Sequence, residues 1–481
     1  MKAMVFWTLV GALGLFTHLR GLGASALWQD EAETAVLARR VQSYGVPRVD
    51  DGVNLVSQNQ GRDADAAGRW NYSPWLAFYL AAASMAVLGP TAFAARLPFS
   101  LCALAALVLL FRLSRRWSGS DGVAAGAVAL TSLSVPWLLH ARQCRWYGPG
   151  ALFSLCLWWA YEEWLARAPR ARLKLALASA ALFYTNFLVF FAAAGGLALH
   201  FLAARARQRP PERGDVRAAA LLFLLLLPGM AYFDVLGRAD GSGGVPVSRL
   251  MNLREILAGA DAHVFPFWAA ALAAVLAWRT PRLRRPLALL SGGLLTLVLA
   301  PHFFFRYLII FIPLAAHLLA ETAVLSGYPA ALAAALLLTN AASLGPWLGL
   351  GPFLKRDLRG FAAELRAPVQ DPVRAAAELM AKTARPGDVA LVSYPDLSFM
   401  FHVPGLRVVG GGQGPRPVQA EAVRFAVVRD EREKSTFPLD WSRYDAVPLD
   451  APNGPWGNRP DPGLHVFRTL GGPPAVVYVK R

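Results

Sequence analysis

Charge is scarce in this sequence, and its scarcity excludes an ordinary soluble protein. Asp, Glu, Lys and Arg make up 16% of the 481 residues and hydrophobic residues make up 56%, against about 25% and about 45–50% in soluble domains. Apolar runs such as 101–110, 221–227 and 330–338 recur up to residue 350, whereas residues 351–481 have the composition of a soluble domain. We therefore expect a membrane domain over 1–350 and a separate C-terminal domain over 351–481.

Cysteine and metal-binding motifs are also scarce. The three cysteines, Cys102, Cys144 and Cys156, lie in or beside apolar segments and show no CxxC spacing, which argues against a zinc site and a disulfide framework. The eight histidines form no HExxH pattern, and no Walker-type glycine-rich loop occurs. We expect that neither a metal ion nor another cofactor is required.

Acidic residues are outnumbered by basic ones, 31 to 48, which gives a formal net charge of +17. The basic residues cluster in short loops between apolar segments, as is typical of the cytoplasmic loops of membrane proteins. A surface that tracks nucleic-acid phosphates is not indicated, and we expect no nucleic-acid partner. The four clusters comprise Arg112, Arg115 and Arg116; Arg167, Arg170, Arg172 and Lys174; Arg205, Arg207, Arg209, Arg213 and Arg217; and Arg279, Arg282, Arg284 and Arg285.

The apolar segments predict about 11–13 transmembrane helices, since a helix needs about 20 residues to cross a bilayer. All four basic loops are cytoplasmic only if one early segment does not cross. Trp75–Leu88 is short and is bounded by Pro74 and Gly89-Pro90, so we expect it to lie at the membrane interface or to dip partway into the membrane. With residues 4–19 retained as a first helix, the N-terminus is cytoplasmic. A first outer loop at 21–96 and the C-terminal domain then lie outside a bacterial inner membrane.

Two adjacent acids, Asp30 and Glu31, follow the first apolar helix in the segment Trp28–Ala32. Carboxylates beside apolar chain are costly unless they are paired or functional, which makes this pair a candidate catalytic site. The alternative is that either acid caps a helix over 32–42, because acids are favoured at helix N-termini. The pattern leaves both interpretations open.

Four arginines are expected on the same outer face, where basic residues are depleted. Arg142 and Arg145 are three residues apart, so on a helix they would share one face and clamp a phosphate. The alternative role for such arginines is anchoring at the membrane interface beside aromatic side chains. An anionic lipid headgroup that faces the acids would account for the whole set. The candidate phosphate-binding residues are Arg96, Arg142, Arg145, Tyr147, Arg306 and Tyr307.

The order and spacing of several segments resemble the GT-C superfamily of glycosyltransferases, in particular the protein O-mannosyltransferases and the lipid A aminoarabinose transferases. The resemblance implies a polytopic α-helical membrane protein with a small extracytoplasmic α/β domain at its C-terminus. Asp30 matches the catalytic acid of the first outer loop, and Arg96 matches an arginine at the start of the next helix. The matching segments are 28–32, 71–80, 93–113, 142–147 and 305–314.

Two departures from the family pattern affect what the resemblance implies. Ser73-Pro74 stands where the aminoarabinose transferases have Lys-Pro, so an arginine must replace the phosphate-binding lysine. The second outer loop contains no acid, unlike that of the metal-dependent oligosaccharyltransferases, and a divalent metal is therefore not expected.

The activity implied is transfer of a sugar from a polyprenyl-phosphate-linked donor to a hydroxyl of a glycan, lipid or protein acceptor at the outer membrane face. Asp30 would be the general base, with inversion at the anomeric carbon, and the arginines would neutralise the departing phosphate. Glu31 would position either Asp30 or the acceptor. The main alternative is a transporter of polyprenyl-linked glycans or lipids, although no internal repeat typical of transporters is found. A purely structural envelope protein would leave the outer arginines unexplained.

The C-terminal part has the pattern of a small α/β domain without a catalytic constellation, and we expect it to serve acceptor selection or stability. Helices are predicted at 354–365 and 372–383, and strands at 389–393, 406–409, 424–428, 464–469 and 475–479.

Overall fold

A bundle of helices is followed by a mixed β-sheet in the computed structural model of the chain. The structure describes residues 2–205, 212–235, 237, 248–264, 266–300, 303–330, 358–410, 420–461 and 463–481. The predicted span centred near residue 338, the boundary at 350/351, and basic residues such as Arg207 and Arg209 lie outside the described residues.

The bundle contains fourteen helices within the described residues. They are α1 Lys2–Leu19, α2 Gln29–Tyr44, α3 Leu76–Leu88, α4 Ala92–Ser118, α5 Asp121–Ser132, α6 Val135–Ala141, α7 Tyr147–Leu165, α8 Ala171–Thr185, α9 Phe187–His200, α10 Arg213–Tyr232, α11 Arg249–Gly259, α12 Phe267–Arg279, α13 Pro281–Val298 and α14 Ile312–Ser326, the last continuing a 3₁₀ segment Phe305–Phe311.

Three helical segments of the described chain are long and apolar enough to cross a membrane: Ala92–Ser118, Arg213–Tyr232 and Phe305–Ser326. Helices α5 and α6 add a fourth if they form one span bent by 68°. The segment expected at the interface forms α3, whose 13 residues are too few to cross a bilayer by themselves. The predicted total of about 11–13 spans stays a prediction.

The basic loops meet at one end of the bundle. Glu162, near the end of α7, accepts a hydrogen bond from the indole of Trp117, which lies in the last turn of α4. The same carboxylate forms an ion pair with Arg285 of α13. Arg172 pairs with Asp215, which joins the second loop to the third. Since α4 carries Arg96 near its other end, the candidate site lies at the end of the bundle opposite the basic loops.

The C-terminal domain is a five-stranded sheet of order β2-β1-β3-β5-β4. Strand β1 pairs in parallel with β2 and β3, whereas β5 runs antiparallel to both β3 and β4. The elements are α15 Leu358–Arg366, α16 Pro372–Thr383, β1 Val389–Val392, α17 Asp396–His402, β2 Arg407–Gly410, β3 Val423–Val427, α18 Glu431–Lys434, β4 Tyr444–Pro452 and β5 Pro474–Lys480.

Four of the five predicted strands are confirmed, and one is wrong. Residues 464–469 form no strand, because Asn458 holds the backbone of Val466 through its side-chain amide and His465 bonds to the carbonyl of Arg459. The true fourth strand, β4, was not predicted. It lies at a sheet edge and ends at a proline, a residue that edge strands tolerate but that obscures a strand pattern.

The C-terminal domain and the segment 21–96 share one hydrophobic core. Leu27, Val36 and Trp70 of the loop region pack in the same buried cluster as Phe399 and Phe425 of the domain. Burying apolar surface stabilises this contact by about 25 cal/mol for each Å² removed from water. The domain is therefore a support for α2, the helix that carries the two candidate acids.

Candidate active site

Both acids lie in the first turn of α2, which begins earlier than predicted. The residue that precedes the helix is Trp28, and it makes no side-chain capping bond. Neither Asp30 nor Glu31 is therefore the N-cap, although both gain from the partial positive charge of the helix N-terminus. Their carboxylates have other partners.

Glu31 forms a buried ion pair with Arg96 of α4. The Arg96 Nε and Nη2 atoms donate to the two Glu31 carboxylate oxygens at 2.7 and 2.6 Å, and the backbone N–H of Cys144 donates to the same group at 2.8 Å. The Glu31 side chain is 0% exposed. This pair connects α2, α4 and the turn between α6 and α7.

Arg96 uses its full donor capacity inside the protein. Besides Glu31, its guanidinium donates to the backbone carbonyls of Leu22, Ser25 and Ala26. An arginine side chain carries five N–H donors, and these contacts occupy all of them. Arg96 therefore braces the segment 22–26 that precedes α2, and it has no donor left for a phosphate.

Asp30 lies between two other arginines. Its Oδ2 accepts a hydrogen bond from Arg306 Nη1 at 2.7 Å and lies 3.9 Å from Arg145 Nη2. The Asp30 side chain is 14% exposed. Arg145 also donates to Glu33 at 2.6 Å and to the backbone carbonyl of Asp30 at 3.0 Å. The two guanidinium groups balance the negative charge of the Asp30 carboxylate, and the carboxylate keeps some access to solvent.

Glu33 belongs to this site, although the sequence interpretation missed it. It stands three residues after Asp30, so both lie on one face of α2, and that spacing was the available signal. Burial raises the pKa of Glu33, while the neighbouring Arg145 opposes that rise. Burial also disfavours the charge of Arg145, but Glu33 and Asp30 outweigh that effect and raise its pKa. Arg145 is therefore a permanent cation.

A cavity of about 510 Å³ opens beside the two arginines. Arg145 and Arg306 stand in its wall, and Asp30 lies behind them. The remaining wall is largely apolar, and some of its side chains are well exposed: Leu299 is 67% exposed and Phe304 50%. The lining residues are Thr34, Tyr72, Ser73, Pro74, Ala77, Phe78, Arg145, Trp146, Thr185, Asn186, Phe187, Leu188, Phe191, Val235, Thr296, Leu299, Ala300, Phe304, Arg306 and Tyr307.

The two tyrosines predicted for the site are placed differently. Tyr307 lines the cavity, and its ring stacks on Trp146 with a centroid distance of 5.4 Å. Tyr147 begins α7 and is buried under the same tryptophan, with its ring edge against His140. Of these two tyrosines, Tyr307 lines the cavity, whereas Tyr147 lies behind it and forms a side-chain hydrogen bond with Arg306.

Arg142 is separated from the cavity. Its guanidinium donates to the carbonyl of Arg20 and lies over the ring of Phe361 at 5.4 Å. The expected clamp of Arg142 with Arg145 on one helical face is not formed, because residues 142–146 lie in the turn between α6 and α7. The arginine that joins Arg145 is Arg306, from a distant part of the chain.

Within the described residues, no group of three or more histidine, cysteine, aspartate or glutamate side chains is arranged to hold a metal ion. The Ser73-Pro74 segment, which replaces the lysine-proline of the aminoarabinose transferases, forms part of the cavity wall. Whether catalysis needs a metal stays a prediction from the sequence.

Comparison with known proteins gives a match in structure but not in sequence. No protein-family model and no curated protein matches the chain. ArnT from Cupriavidus metallidurans superimposes with a TM-score of 0.59 when bound to undecaprenyl phosphate and 0.62 in the apo state. Both comparisons have 14% identity and cover 99% of this chain and 98% of that one.

Two further structures share the architecture. The oligosaccharyltransferase of Archaeoglobus fulgidus, tethered with an acceptor peptide, has a TM-score of 0.52 at 11% identity and covers 88% of this chain and 68% of that one. The arabinofuranosyltransferase AftD from mycobacteria has a TM-score of 0.51 at 15% identity, with 100% and 40% covered. The chain is thus a membrane protein with the GT-C fold, as the sequence resemblance predicted.

Proposed function

We propose that this GT-C-fold chain is a glycosyltransferase that moves a sugar from a polyprenyl-phosphate donor to an acceptor hydroxyl. The observation that carries the proposal is Asp30 held between Arg145 and Arg306 beside a largely apolar cavity. The similar ArnT structure contains undecaprenyl phosphate, a lipid of the same donor class. The site faces the outer side of a bacterial inner membrane, with the N-terminus cytoplasmic.

The cavity suits a lipid phosphate because it combines two cations with an apolar wall. Arg145 and Arg306 would bind the phosphate through charge-assisted hydrogen bonds, which are stronger than neutral ones. Phe187, Leu188 and Phe191 would contact the isoprenyl chain. The exposure of Phe191 and Leu299 on the bundle surface gives that chain a lateral route from the bilayer.

The transfer step requires a base on one side of the anomeric carbon and a stabilised leaving group on the other. Asp30 accepts the proton of the acceptor hydroxyl while the hydroxyl oxygen bonds to the anomeric carbon. The bond from that carbon to the phosphate oxygen breaks, and polyprenyl phosphate leaves with both electrons. Arg306 and Arg145 stabilise the charge that develops on the phosphate. Attack opposite the leaving group inverts the anomeric configuration.

Arg306 couples donor binding to the state of the base. In this structure its Nη1 donates to Asp30, and a donor phosphate competes for the same guanidinium. Movement of Arg306 to the phosphate releases the Asp30 carboxylate for the acceptor. Glu31 cannot serve the acceptor in this way, because Arg96 and the Cys144 amide occupy it. Its role is to fix the first turn of α2.

The test is sugar transfer in proteoliposomes with radiolabelled polyprenyl-phosphate sugars and a membrane extract as the source of acceptor. Wild type should transfer label, and Asp30→Asn should lose about 10²–10⁴-fold of the activity while still binding the donor lipid. Asp50→Asn, which changes an exposed acid of the same outer loop, is the matched control and should transfer normally.

The outcomes separate the candidate functions. Normal turnover by Asp30→Asn would contradict Asp30 as the base. Binding of polyprenyl phosphate by wild type without transfer from any donor would support a transporter of polyprenyl-linked glycans or lipids instead.

A further inference from the structure

The C-terminal sheet has a topological switch point, where the connections that follow neighbouring parallel strands run to opposite sides of the sheet. It lies at the edge formed by the carboxyl ends of β1 and β3, called the carboxyl edge below. From β1 the chain passes through α17 to β2 on one side, and β3 then pairs with the other side of β1. In open α/β sheets, ligands bind outside the carboxyl ends of strands at such a point. Here the carboxyl ends of β1 and β3 lead into Tyr394 and Arg429.

This carboxyl edge lies against the start of α2. Gln29 donates to Asp396 at 2.7 Å, and the Ser398 hydroxyl donates to the carbonyl of Leu27. A methyl group at Gly457 would lie 3.2 Å from Pro395 and 3.7 Å from Trp28, so the loop at 456–459 packs directly on this junction. The start of α2, which carries Asp30, therefore lies between the arginine-lined cavity and the C-terminal domain.

Tyr394 connects the edge to Asp30. Its phenol interacts electrostatically with Asp30 and with Arg459, and burial raises the pKa of Tyr394 to about 12. The phenol is therefore protonated at neutral pH and remains a hydrogen-bond donor. The Arg429 guanidinium lies over the Tyr394 ring at 5.3 Å, and its charge is matched by the Glu433 carboxylate.

Among the described residues of this edge, Arg459 is a cation that a ligand can reach. Its side chain is exposed and forms no ion pair with the part of the chain that the structure describes. Its backbone is fixed, because Asn458 bonds to Val466 in both directions and the carbonyl of Arg459 bonds to His465. A rigidly held loop thus presents, near Tyr394, a guanidinium that has no ion pair among the described residues.

We propose that this edge is the acceptor site, where Arg459 and Tyr394 bind a phosphate or carboxylate group of an anionic glycan acceptor beside the hydroxyl that receives the sugar. The proposal rests on the transferase function proposed above. It brings the acceptor hydroxyl to Asp30 from the side of the C-terminal domain, so the hydroxyl can attack the anomeric carbon on the face opposite the phosphate held in the cavity. The Arg459 guanidinium would donate charge-assisted, directional hydrogen bonds to the anionic group, and the neutral Tyr394 phenol would donate one more.

Binding is tested without donor lipid by saturation-transfer NMR on the full-length protein in detergent. The probes are glucose 6-phosphate and glucuronic acid, with glucose for comparison. Wild type should give signals with the two anionic sugars, and Arg459→Gln should lose them. Arg443→Gln is the matched control: Arg443 is exposed and precedes β4, which runs parallel to β3, so it lies at the opposite end of the sheet.

The transfer assay then measures the acceptor KM. Arg459→Gln should raise it about 10- to 100-fold with kcat and donor KM unchanged, since a charge-assisted hydrogen bond is lost. Arg459→Lys should recover part of the loss, which shows that the variant fold is intact. Label in the chloroform–methanol phase would identify a membrane-anchored glycolipid, and label in the aqueous phase a free glycan.

Three results would overturn the acceptor site: equal NMR signals with Arg459→Gln, equal signals with glucose, or an acceptor KM that does not change. Label appearing only in protein would also overturn it. Absence of transfer by wild type would instead refute the transferase function, and the NMR comparison would still decide whether Arg459 binds anionic sugars.

Discussion

Arg306 Nη1 donates to Asp30 Oδ2 at 2.7 Å across 276 positions of sequence, and this contact joins the cavity wall to the candidate base. The same guanidinium lies over the ring of Phe304, 4.6 Å from the ring centroid, and this contact restrains the orientation of the guanidinium. In the proposed function this arginine would exchange the carboxylate for a donor phosphate in the cavity, and it would thereby couple donor binding to Asp30.

Replacing Arg306 should lower kcat, whereas replacing an arginine outside the cavity should not. Arg306→Gln keeps a donor for Asp30 but removes the charge that stabilises the leaving phosphate, so kcat should fall about 10²–10³-fold. Steady-state transfer kinetics measure the effect. Arg142→Gln is the control, because Arg142 lies outside the cavity and should change kcat little. A larger loss with Arg142→Gln would show that the cavity is not where the phosphate binds.

The Glu31–Arg96 pair should contribute to the stability of the fold, because neither residue is free to act on a substrate. Removing one partner leaves a buried charge unpaired, so Arg96→Met should destabilise the fold by about 3–5 kcal/mol. Thermal unfolding in detergent, followed by tryptophan fluorescence, measures the loss. Asp121→Asn breaks the exposed pair with Arg115 and should cost less than about 1 kcal/mol. Equal effects from the two variants would refute the bracing role of Arg96.

Gln29 should control how well α2 is held by the C-terminal domain. It donates to Asp396 and accepts from the backbone N–H of Leu397, so Gln29→Ala leaves buried polar groups unsatisfied at a cost of about 1–3 kcal/mol. We expect kcat to fall as Asp30 loses its fixed position. Gln42→Ala removes a single bond at the other end of α2 and should leave kcat unchanged. Equal kcat for both variants would exclude positioning through Gln29.

His402 should make the contact between the domain and the outer loop sensitive to acid. Its Nε2 accepts from the backbone N–H of Leu27, and burial lowers the pKa of His402 from 6.5 to about 4. Because the unfolded chain binds this proton more readily, the stabilisation is complete above pH 6.5. It is lost as the pH falls toward 4, by about 3 kcal/mol in total.

Unfolding of wild type and His402→Gln between pH 4 and 7 measures this effect. Wild type should lose stability relative to the variant as the pH falls through that range. Parallel stability curves for the two proteins would show that His402 does not titrate in this window.

The sequence by itself determined the membrane class, the two-part organisation, the common side of the basic loops and most of the C-terminal sheet. These features depend on local composition and periodicity, which can be recognised in short windows of the sequence. Strand β1, with Val389 to Val392 all buried, shows the principle: a short apolar run bounded by turn residues predicts a strand wherever it lies. The adjacent acids and outer arginines were likewise visible as costly residues.

Only the tertiary structure decided which of those charges work together. Arg96 and Arg142 were as plausible as Arg145 and Arg306 from sequence, yet the fold uses the first two as braces and places the other two at the cavity. Glu33 gained its significance in the same way, through its hydrogen bond with Arg145. The physical reason is that a charged side chain takes whichever partner the packing brings within about 3 Å. Composition and spacing do not encode contacts between residues hundreds of positions apart.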